Sequence, residues 1–296
     1  MFKTAKVQNP QGEILDLMGN RDRFVVSSIQ GLNPPPATLN MSNIYGMDGA
    51  KLNSRYLNTR NIVITMMLRG DQEASRQELY RFLSTKAPLR FFFENNNRNV
   101  YIDGFVETNE DDQFVRQQEM QISIICPDPF FRDVNEHVVE LQNTAAGFTF
   151  PFSIDQDDPI EFSSYEDHRS TEVDILTTNE TPFELFIEPL ETLPYWTAFR
   201  IQNLLTGEKI GQSGWPAALD TFKPGDVLYI NTDPYSPKFI ATRGTAVYNR
   251  IPAMDSGSTF FQLHPGQNVF GYSTSPSTDA SKIKVTMKYR NIYRGV

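Results

Sequence analysis

The strongest constraint on the fold is a strand pattern that leads directly into a helix pattern. Apolar residues occupy every second position from Ile62 to Leu68, while the positions between them are mixed in character. Side chains alternate between the two faces of a strand, so this spacing predicts a strand with one fully apolar face. A chain with this strand must place that face against a core.

A helix of about three turns is predicted next. Gly70 interrupts the strand pattern, and the Asp71 side chain can accept hydrogen bonds from the free amides of a helix start. The apolar face at helical spacing consists of Leu79, Phe82 and Leu83. The residues that we expect to face water are Gln72, Arg76 and Glu78. Lys86 and Pro88 should close the helix.

The following residues predict two further pairs of strands. Residues 89–94 and 101–105 read as a hairpin joined by the asparagines at 95–97, and residues 109–112 read as an acidic turn. Residues 114–124 alternate as a long strand, which the prolines at 127 and 129 end. One helix that covers a sheet gives an α+β sandwich.

The N-terminal residues predict short strands and one long loop. Residues 1–16 read as a hairpin, and residues 24–29 read as a third short strand. Residues 38–55 are polar and turn-rich, with Met, Tyr and Leu interspersed, and read as a loop. A loop of this length in a compact domain is usually functional. It is interpreted either as an arm that contacts neighbouring subunits or as a solvated loop.

The second half of the chain predicts a β-sandwich. A length of 296 residues suits two domains, which we place at residues 1–133 and 134–296. Short strands separated by Gly, Pro, Asn and Asp are typical of a sandwich. The predicted strands are 137–141, 148–152, 171–176, 183–187, 198–203, 207–210, 227–231, 236–242, 245–248, 260–263, 268–273 and 283–289. The fold class is therefore mainly β.

Charge and cysteine content argue against several classes of function. The formal charge of −9 disfavours a nucleic-acid-binding surface, which needs clustered Lys and Arg. Cys126 is the sole cysteine, so neither a disulfide framework nor a thiolate zinc cage is expected, and folding in a reducing cytoplasm is the simple interpretation. The sequence shows no export signal and no apolar run of membrane-spanning length.

No combination of residues predicts catalysis, a metal site or a cofactor site. His137, His168 and His264 are far apart in sequence and are interpreted as structural. The acidic loop of Asp155, Asp157, Asp158 and Glu161 lacks the calcium-loop spacing and is interpreted as solvated. The residues at 211–215 resemble a nucleophile elbow but do not match its spacing. The chain is therefore predicted not to be an enzyme.

Three aromatic residues of the second half are candidates for ligand or partner contact. Tyr195, Trp196 and Trp215 could stack on a sugar, because a flat ring offers its face to a pyranose. The favoured alternative is that they pack in the core or at a subunit interface. Both interpretations are kept.

Short sequences along the chain resemble the distal tail proteins of long-tailed, siphovirus-type bacteriophages. The resemblance rests on Gly31-Leu32 with the prolines at 34–36, Asp48-Gly49, the residues at 60–63, 68–71 and 125–131, and the final residues at 288–296. It covers nearly the whole first half in the expected order.

This resemblance implies a structural role in the virion. The family forms a six-fold ring, the hub at the tail tip, which joins the tail tube to the tip protein and holds receptor-binding or baseplate proteins on an outer domain. The outer domain is implied to be a galectin-like sandwich, and DNA to pass through the channel without specific binding. Assembly would take place in the host bacterial cytoplasm.

The resemblance also suggests which residues make contacts in the assembly. Ring contacts are expected from the first strand, from the helix and from the loop at 38–55. The named candidates are Arg60, Ile62, Ile64, Asn43 and Tyr45. The outer domain would contact its partners through Trp196, Trp215 and its Pro-Gly turns. Two alternatives are a carbohydrate-binding adhesin that acts through the second sandwich and the equivalent part of a tail-like bacteriocin.

Overall fold

The chain forms two compact units. The structure, a computed structural model, describes residues 3–19, 21–112, 114–141, 145–146, 163–164 and 170–296. Unit 1 consists of the residues up to Asn135 together with Ile292–Val296, and unit 2 is Glu136–Asn291. The boundary lies two residues beyond the predicted one, and the last five residues group with unit 1 and not with the predicted second domain.

Unit 1 is built on one antiparallel sheet, a separate two-stranded hairpin and one helix. Its strands are β1 Thr4–Gln8, β2 Ile14–Asp16, β3 Phe24–Gln30, β4 Ala37–Asn43, β5 Ala50–Leu57, β6 Arg60–Leu68, β7 Pro88–Glu94, β8 Asn99–Asp111, β9 Glu119–Cys126, β10 Phe131–Asp133 and, from the end of the chain, β23 Ile292–Tyr293. Helix α1 is Gln72–Phe82. The sheet order is β2-β1-β7-β8-β9-β6-β3, with β10 paired to β8 and β23.

The predicted alternation of β6 is confirmed. Ile62, Ile64, Met66 and Leu68 are all buried, and the residues between them are exposed or half-buried. They contribute to one apolar core with α1 and with the facing residues of β1, β7, β8 and β9. The pleat of the strand therefore positions the core of unit 1.

The helix is also confirmed, with one error. The Asp71 carboxylate accepts a hydrogen bond from the Ala74 amide at 3.1 Å, and Leu79 and Phe82 lie in the core. Arg76, which we expected to face water, is only 8% exposed. Its guanidinium forms an ion pair with Asp111 at 3.3 Å and another with Glu73. Helical spacing alone predicts that the Arg76 side chain is exposed. It is buried because it forms an ion pair with Asp111.

Two strand boundaries of the central hairpin were predicted wrongly. β8 continues through residues 109–111, which were interpreted as an acidic turn, and β9 begins only at Glu119. Phe114 therefore lies outside the strand, and its side chain is fully exposed at 101%. A bulge between Val106 and Thr108 shifts the register of β8 against β9 and hides the period of the longer strand.

Residues 38–55, predicted to be a loop, form most of a β-hairpin. β4 and β5 pair with each other from Ala37↔Leu57 to Asn43↔Ala50 and form a sheet of their own. The register shifts between Asn40 and Met41. This bulge breaks the alternation of β5, and the many Asn and Ser residues resemble loop composition, so the pattern in the sequence was weak.

Unit 2 is a sandwich of two antiparallel sheets. Its strands are β11 His137–Glu140, β12 Ala145–Ala146, β13 Ser163–Ser164, β14 Ser170–Ile175, β15 Phe183–Pro189, β16 Ala198–Asn203, β17 Lys209–Ser213, β18 Asp226–Asn231, β19 Lys238–Arg243, β20 Ala246–Asn249, β21 Gly266–Ser275 and β22 Ile283–Tyr289. One sheet has the order β11-β22-β15-β18-β19-β20, and the other has the order β14-β21-β16-β17. A two-stranded pair is formed by β12 and β13. Short 3-10 helices occur at Ala217–Leu219, Ile251–Ala253 and Ser277–Lys282.

The mainly β fold class is confirmed, and one predicted strand of unit 2 is wrong. The apolar core includes the buried side chains of Leu185, Phe199, Leu228 and Phe270, which come from both sheets. Residues 260–263 do not form a strand, and Leu263 makes only a single bridge to Thr181. The predicted strand at 148–152 lies outside the described residues.

A buried arginine connects four segments of unit 1. The Arg60 guanidinium donates hydrogen bonds of 2.5 to 2.8 Å to the carbonyl oxygens of Pro129, Gly31, Asn33 and Arg294, and lies 4.4 Å from the ring centroid of Phe131. Arg60 is only 1% exposed, and burial lowers its pKa below the ordinary value, although charge interactions with Cys126 and Asp128 oppose this shift. Removal of one partner leaves buried polar groups unpaired. Loss of these hydrogen bonds should therefore reduce the stability of unit 1 strongly.

The buried thiol of Cys126 provides a probe of unit 1. Burial raises its pKa to about 12. We therefore expect about one thiolate per 10⁴ molecules at pH 8 and no labelling by a disulfide reagent unless unit 1 unfolds. The unfolded thiol ionises at lower pH, so this group should reduce stability progressively from about pH 9 to about pH 12. Rapid stoichiometric labelling without denaturant would contradict this expectation.

Replacement of Arg60 should strongly destabilise unit 1. Arg60→Met removes the buried guanidinium that donates to four backbone carbonyl groups, and we expect a loss of about 3 kcal/mol or more in the free energy of unfolding. The urea dependence of Cys126 labelling measures this loss in unit 1 alone. Arg69→Met is the matched control at an exposed position and should change stability by no more than about 0.5 kcal/mol. Equal effects of the two variants would disprove the role of Arg60.

Candidate functional site

The hairpin of β4 and β5 has one apolar and one polar face. Residues paired across an antiparallel ladder lie on the same face. The register places Leu39 opposite Arg55 and Met41 opposite Leu52, so these side chains form one face. Thr38, Asn40 and Ser42 alternate with them and lie on the other face, together with their partners Tyr56, Ser54 and Lys51.

The apolar face is exposed to solvent. Leu39, Met41 and Leu52 are 52%, 59% and 46% exposed, and at the tip Tyr45 and Met47 are 105% and 67% exposed. On the polar face Asn40 donates a hydrogen bond to Ser54 at 2.7 Å and Thr38 donates one to Asn58 at 2.8 Å. A lone two-stranded hairpin is marginally stable in water, and contiguous exposed apolar groups are typical of interaction surfaces. The apolar face of this hairpin is therefore the candidate functional site.

The sequence-predicted ring residues do not lie together on this site. Asn43 and Tyr45 lie on the hairpin and are exposed. Ile62 and Ile64 are buried in the core of unit 1, and Arg60 is enclosed by the carbonyl groups described above, so the expectation that these three side chains contact a neighbouring subunit is corrected. β6 also lies between β9 and β3 and is not a free sheet edge. Burial on the apolar face of a strand and burial at an interface give the same sequence pattern.

The three aromatic candidates of unit 2 divide into two groups. Trp196 is 2% exposed and stacks on Phe222 with 4.3 Å between the ring centroids. Trp215 is half-buried, meets Trp196 edge to face at 5.0 Å, and donates its indole N–H to the Thr221 carbonyl at 3.1 Å. These two rings pack inside the unit and form no open platform for a sugar. Tyr195 is 77% exposed.

The described histidines make structural contacts. His137 stacks on Tyr289. His264 Nε2 lies 2.6 Å from Glu208 Oε2, and His264 Nδ1 faces the Glu180 carboxylate. Partial burial of Glu208 opposes its ionisation, but hydrogen bonds from His264 and Thr206 outweigh this effect and hold its pKa below the ordinary range. His168 and the acidic loop at 155–161 lie outside the described residues.

The described part of the chain contains no group of three or more His, Cys, Asp or Glu side chains placed to hold a metal ion. Ser213, in the segment that resembles a nucleophile elbow, donates its hydroxyl to Asp255, and Arg200 forms an ion pair with the same carboxylate at 2.7 Å. The serine therefore takes part in a polar surface cluster.

Among the described helices, none combines the length and the apolar character needed to cross a membrane.

Comparison with family models identifies both halves of the chain. A model of a phage tail protein RIFT-related domain matches residues 16–126, and a model of the C-terminal domain of siphovirus-type tail components matches residues 194–293. A search of curated protein sequences finds no match. The two family matches follow the same order as unit 1 and unit 2.

Comparison with solved structures shows that the fold is shared over the full length. The Dit protein of bacteriophage SPP1, described as a paradigm of the hub adsorption apparatus in phages that infect Gram-positive bacteria, is 14% identical and has a TM-score of 0.69, with 98% of this chain and 100% of that chain covered. A chain of the activated phage p2 baseplate with Ca is 12% identical at a TM-score of 0.55, with both chains covered completely. A chain of the same baseplate with Sr is 13% identical at a TM-score of 0.54, with 99% of both chains covered.

The contrast between Trp196 and Tyr195 can be tested by substitution. Trp196→Ala removes a buried ring from the core of unit 2, and we expect it to reduce the free energy of unfolding by about 3 to 5 kcal/mol. Tyr195→Ala should change it by no more than about 0.5 kcal/mol because that ring is exposed. Urea unfolding followed by the fluorescence of Trp215 measures both. A stable Trp196→Ala variant would indicate that this ring does not support the core.

Proposed function

Because the chain belongs to the distal tail protein family of siphovirus-type bacteriophages, we propose that it forms the ring-shaped hub at the distal end of a phage tail. In this proposal the ring joins the tail tube to the tail-tip protein and anchors receptor-binding or baseplate proteins. The protein acts as a structural part of the virion and has no catalytic role. The full-length likeness to the SPP1 Dit protein and to chains of the p2 baseplate supports this proposal at the level of the fold.

The observation that carries the proposal is the exposed apolar face of the β4–β5 hairpin. Leu39, Met41 and Leu52 are exposed on it, whereas on the opposite, polar face Asn40 donates a hydrogen bond to Ser54. Such a face gains stability when another surface covers it. In the proposed ring that surface belongs to a second copy of the chain. Repetition of the same contact around an axis closes a ring and leaves no hairpin uncovered.

The remaining details of the assembly come from the family resemblance and from charge. We propose six copies, unit 1 as the ring-forming part, and unit 2 as the part that meets receptor-binding or baseplate proteins. DNA would pass through the channel without specific binding, since a chain with a net charge of −9 does not attract phosphate. Assembly in the host cytoplasm suits a chain whose single cysteine is a buried free thiol.

Removal of the apolar face should abolish ring formation. We expect the triple variant Leu39→Ser, Met41→Ser and Leu52→Ser to remain folded, because these side chains lie outside the core, but to lose assembly. Negative-stain imaging at micromolar concentration, with class averages tested for rotational symmetry, and light scattering after size exclusion measure the outcome. The unmodified chain should give rings with a central hole, and the variant should give monomers.

The control replaces three exposed apolar residues of unit 2, Leu190, Leu205 and Val247, by serine. This variant has the same number of altered exposed apolar residues and should still form rings. If the unmodified protein remains a monomer even when the tail-tube and tail-tip proteins are added, the hub proposal fails. If that monomer also binds glycans, the adhesin alternative is favoured.

A further inference from the structure

We propose that the hairpin of one copy docks into an open acidic groove on unit 1 of the next copy. The inference rests on the proposed ring and assigns both sides of its subunit contact. The groove lies beside β6, β8 and β9 and has a volume of about 630 Å³. Its lining residues are Thr65, Glu110, Asp111, Asp112, Phe114, Glu119 and Gln121.

The groove carries negative charge that the described part of the chain leaves uncompensated. Asp111 is neutralised, because it accepts a hydrogen bond from Tyr80 at 2.6 Å and pairs with Arg76. Glu110 and Glu119 are exposed, and neither forms an ion pair with any described residue. The two carboxylates therefore favour a cationic group in the groove.

The groove also has an apolar wall. The side chain of Phe114, which lines the groove, is fully exposed at 101%. A phenyl ring with this exposure gains from contact with another apolar surface. The groove thus fits a segment with apolar side chains and a positive charge on one face.

The apolar face of the hairpin has this composition. Leu39, Met41 and Leu52 supply the apolar groups, and Arg55 lies on the same face opposite Leu39. Arg55 is exposed and makes no ion pair within the described ranges of the chain. The other exposed cation of β5, Lys51, lies on the polar face opposite Ser42. A cation and exposed aliphatic side chains therefore occur together on the face that contains Arg55, and not on the face that contains Lys51.

The occupant must come from another copy. The hairpin joins the sheet at Arg60, and the groove residue Thr65 lies five positions further along β6. With the usual rise per residue of a strand, Arg60 and Thr65 are about 16 Å apart. The apolar residues of the hairpin remain exposed within the chain, so they do not fill the groove of their own unit. Two different surfaces on one chain make a heterologous contact, which generates a ring when the rotation closes.

Charge reversal on the two faces of the hairpin tests the docking. Arg55→Glu should raise the protein concentration required for half-assembly by about tenfold or more, because it places a carboxylate against Glu110 and Glu119. Lys51→Glu makes the same chemical change on the polar face and should shift that concentration by less than about twofold. Light scattering over a dilution series measures both.

Reversal of the groove supplies the second half of the test. Glu110→Lys with Glu119→Lys should weaken assembly as Arg55→Glu does, and the exposed acidic residue Glu172 of unit 2, changed to Lys, is the control. Combination of Arg55→Glu with the two groove changes should restore assembly. A 1:1 mixture of the hairpin variant and the groove variant should also form rings, because each hairpin then meets an oppositely charged groove.

The outcomes separate this inference from the ring itself. Rescue by the combined variant supports the groove as the docking site. If Arg55→Glu weakens assembly but the groove changes neither weaken nor rescue it, the ring stands and the groove assignment is overturned. If rings persist in the serine variant of the apolar face, the hairpin contact is wrong and this inference falls with it.

Discussion

The buried guanidinium of Arg60 is the interaction on which the organisation of unit 1 depends. Within the described residues it donates no hydrogen bond to a carboxylate. It donates instead to backbone carbonyl groups of the connector before the hairpin, of the proline stop after β9 and of the last residues of unit 1. Arg60 also begins β6, three residues after the last residue of the hairpin. The same side chain therefore fixes the connector that enters the hairpin and the strand that leaves it. The exposed hairpin has a rigid base because a buried charge holds both of its ends.

The proposed site combines this rigid base with surfaces that the chain leaves uncovered. Unit 2 buries rings such as Trp196, Phe199 and Phe270 in its core, and Trp215 donates its indole N–H to an acceptor within the unit. Unit 1 instead exposes Leu39, Met41 and Phe114 on a hairpin and on a groove. The two units differ in whether they need a partner. The sandwich of unit 2 completes its own core, whereas the amphipathic hairpin of unit 1 needs another surface to cover its apolar face.

The sequence predicted those parts of the fold that depend on local periodicity. The alternation of β6, the Asp71 cap of α1 and the proline stop after Cys126 each need only nearby residues, and all three are confirmed. The hairpin was missed because a bulge breaks its alternation. Arg76 and Arg60 were misplaced because their partners, Asp111 and Arg294, are distant in sequence. Among the ring candidates, Asn43 and Tyr45 lie on the exposed hairpin, whereas Ile62 and Ile64 are buried in the core. An apolar strand position does not reveal whether the core or a partner covers it.

The return of the last residues to unit 1 has a consequence for the order of events during translation. β23 pairs with β10, and Arg60 reaches its fourth carbonyl group only at Arg294. The ribosome must therefore synthesise all of unit 2 before the structure that supports the hairpin base is complete. Domains generally fold as the chain emerges from the ribosome. Unit 1 is synthesised first, but it is complete only when the last residues of the chain have been added. A nascent chain would thus lack the complete base of the hairpin until unit 2 has been made.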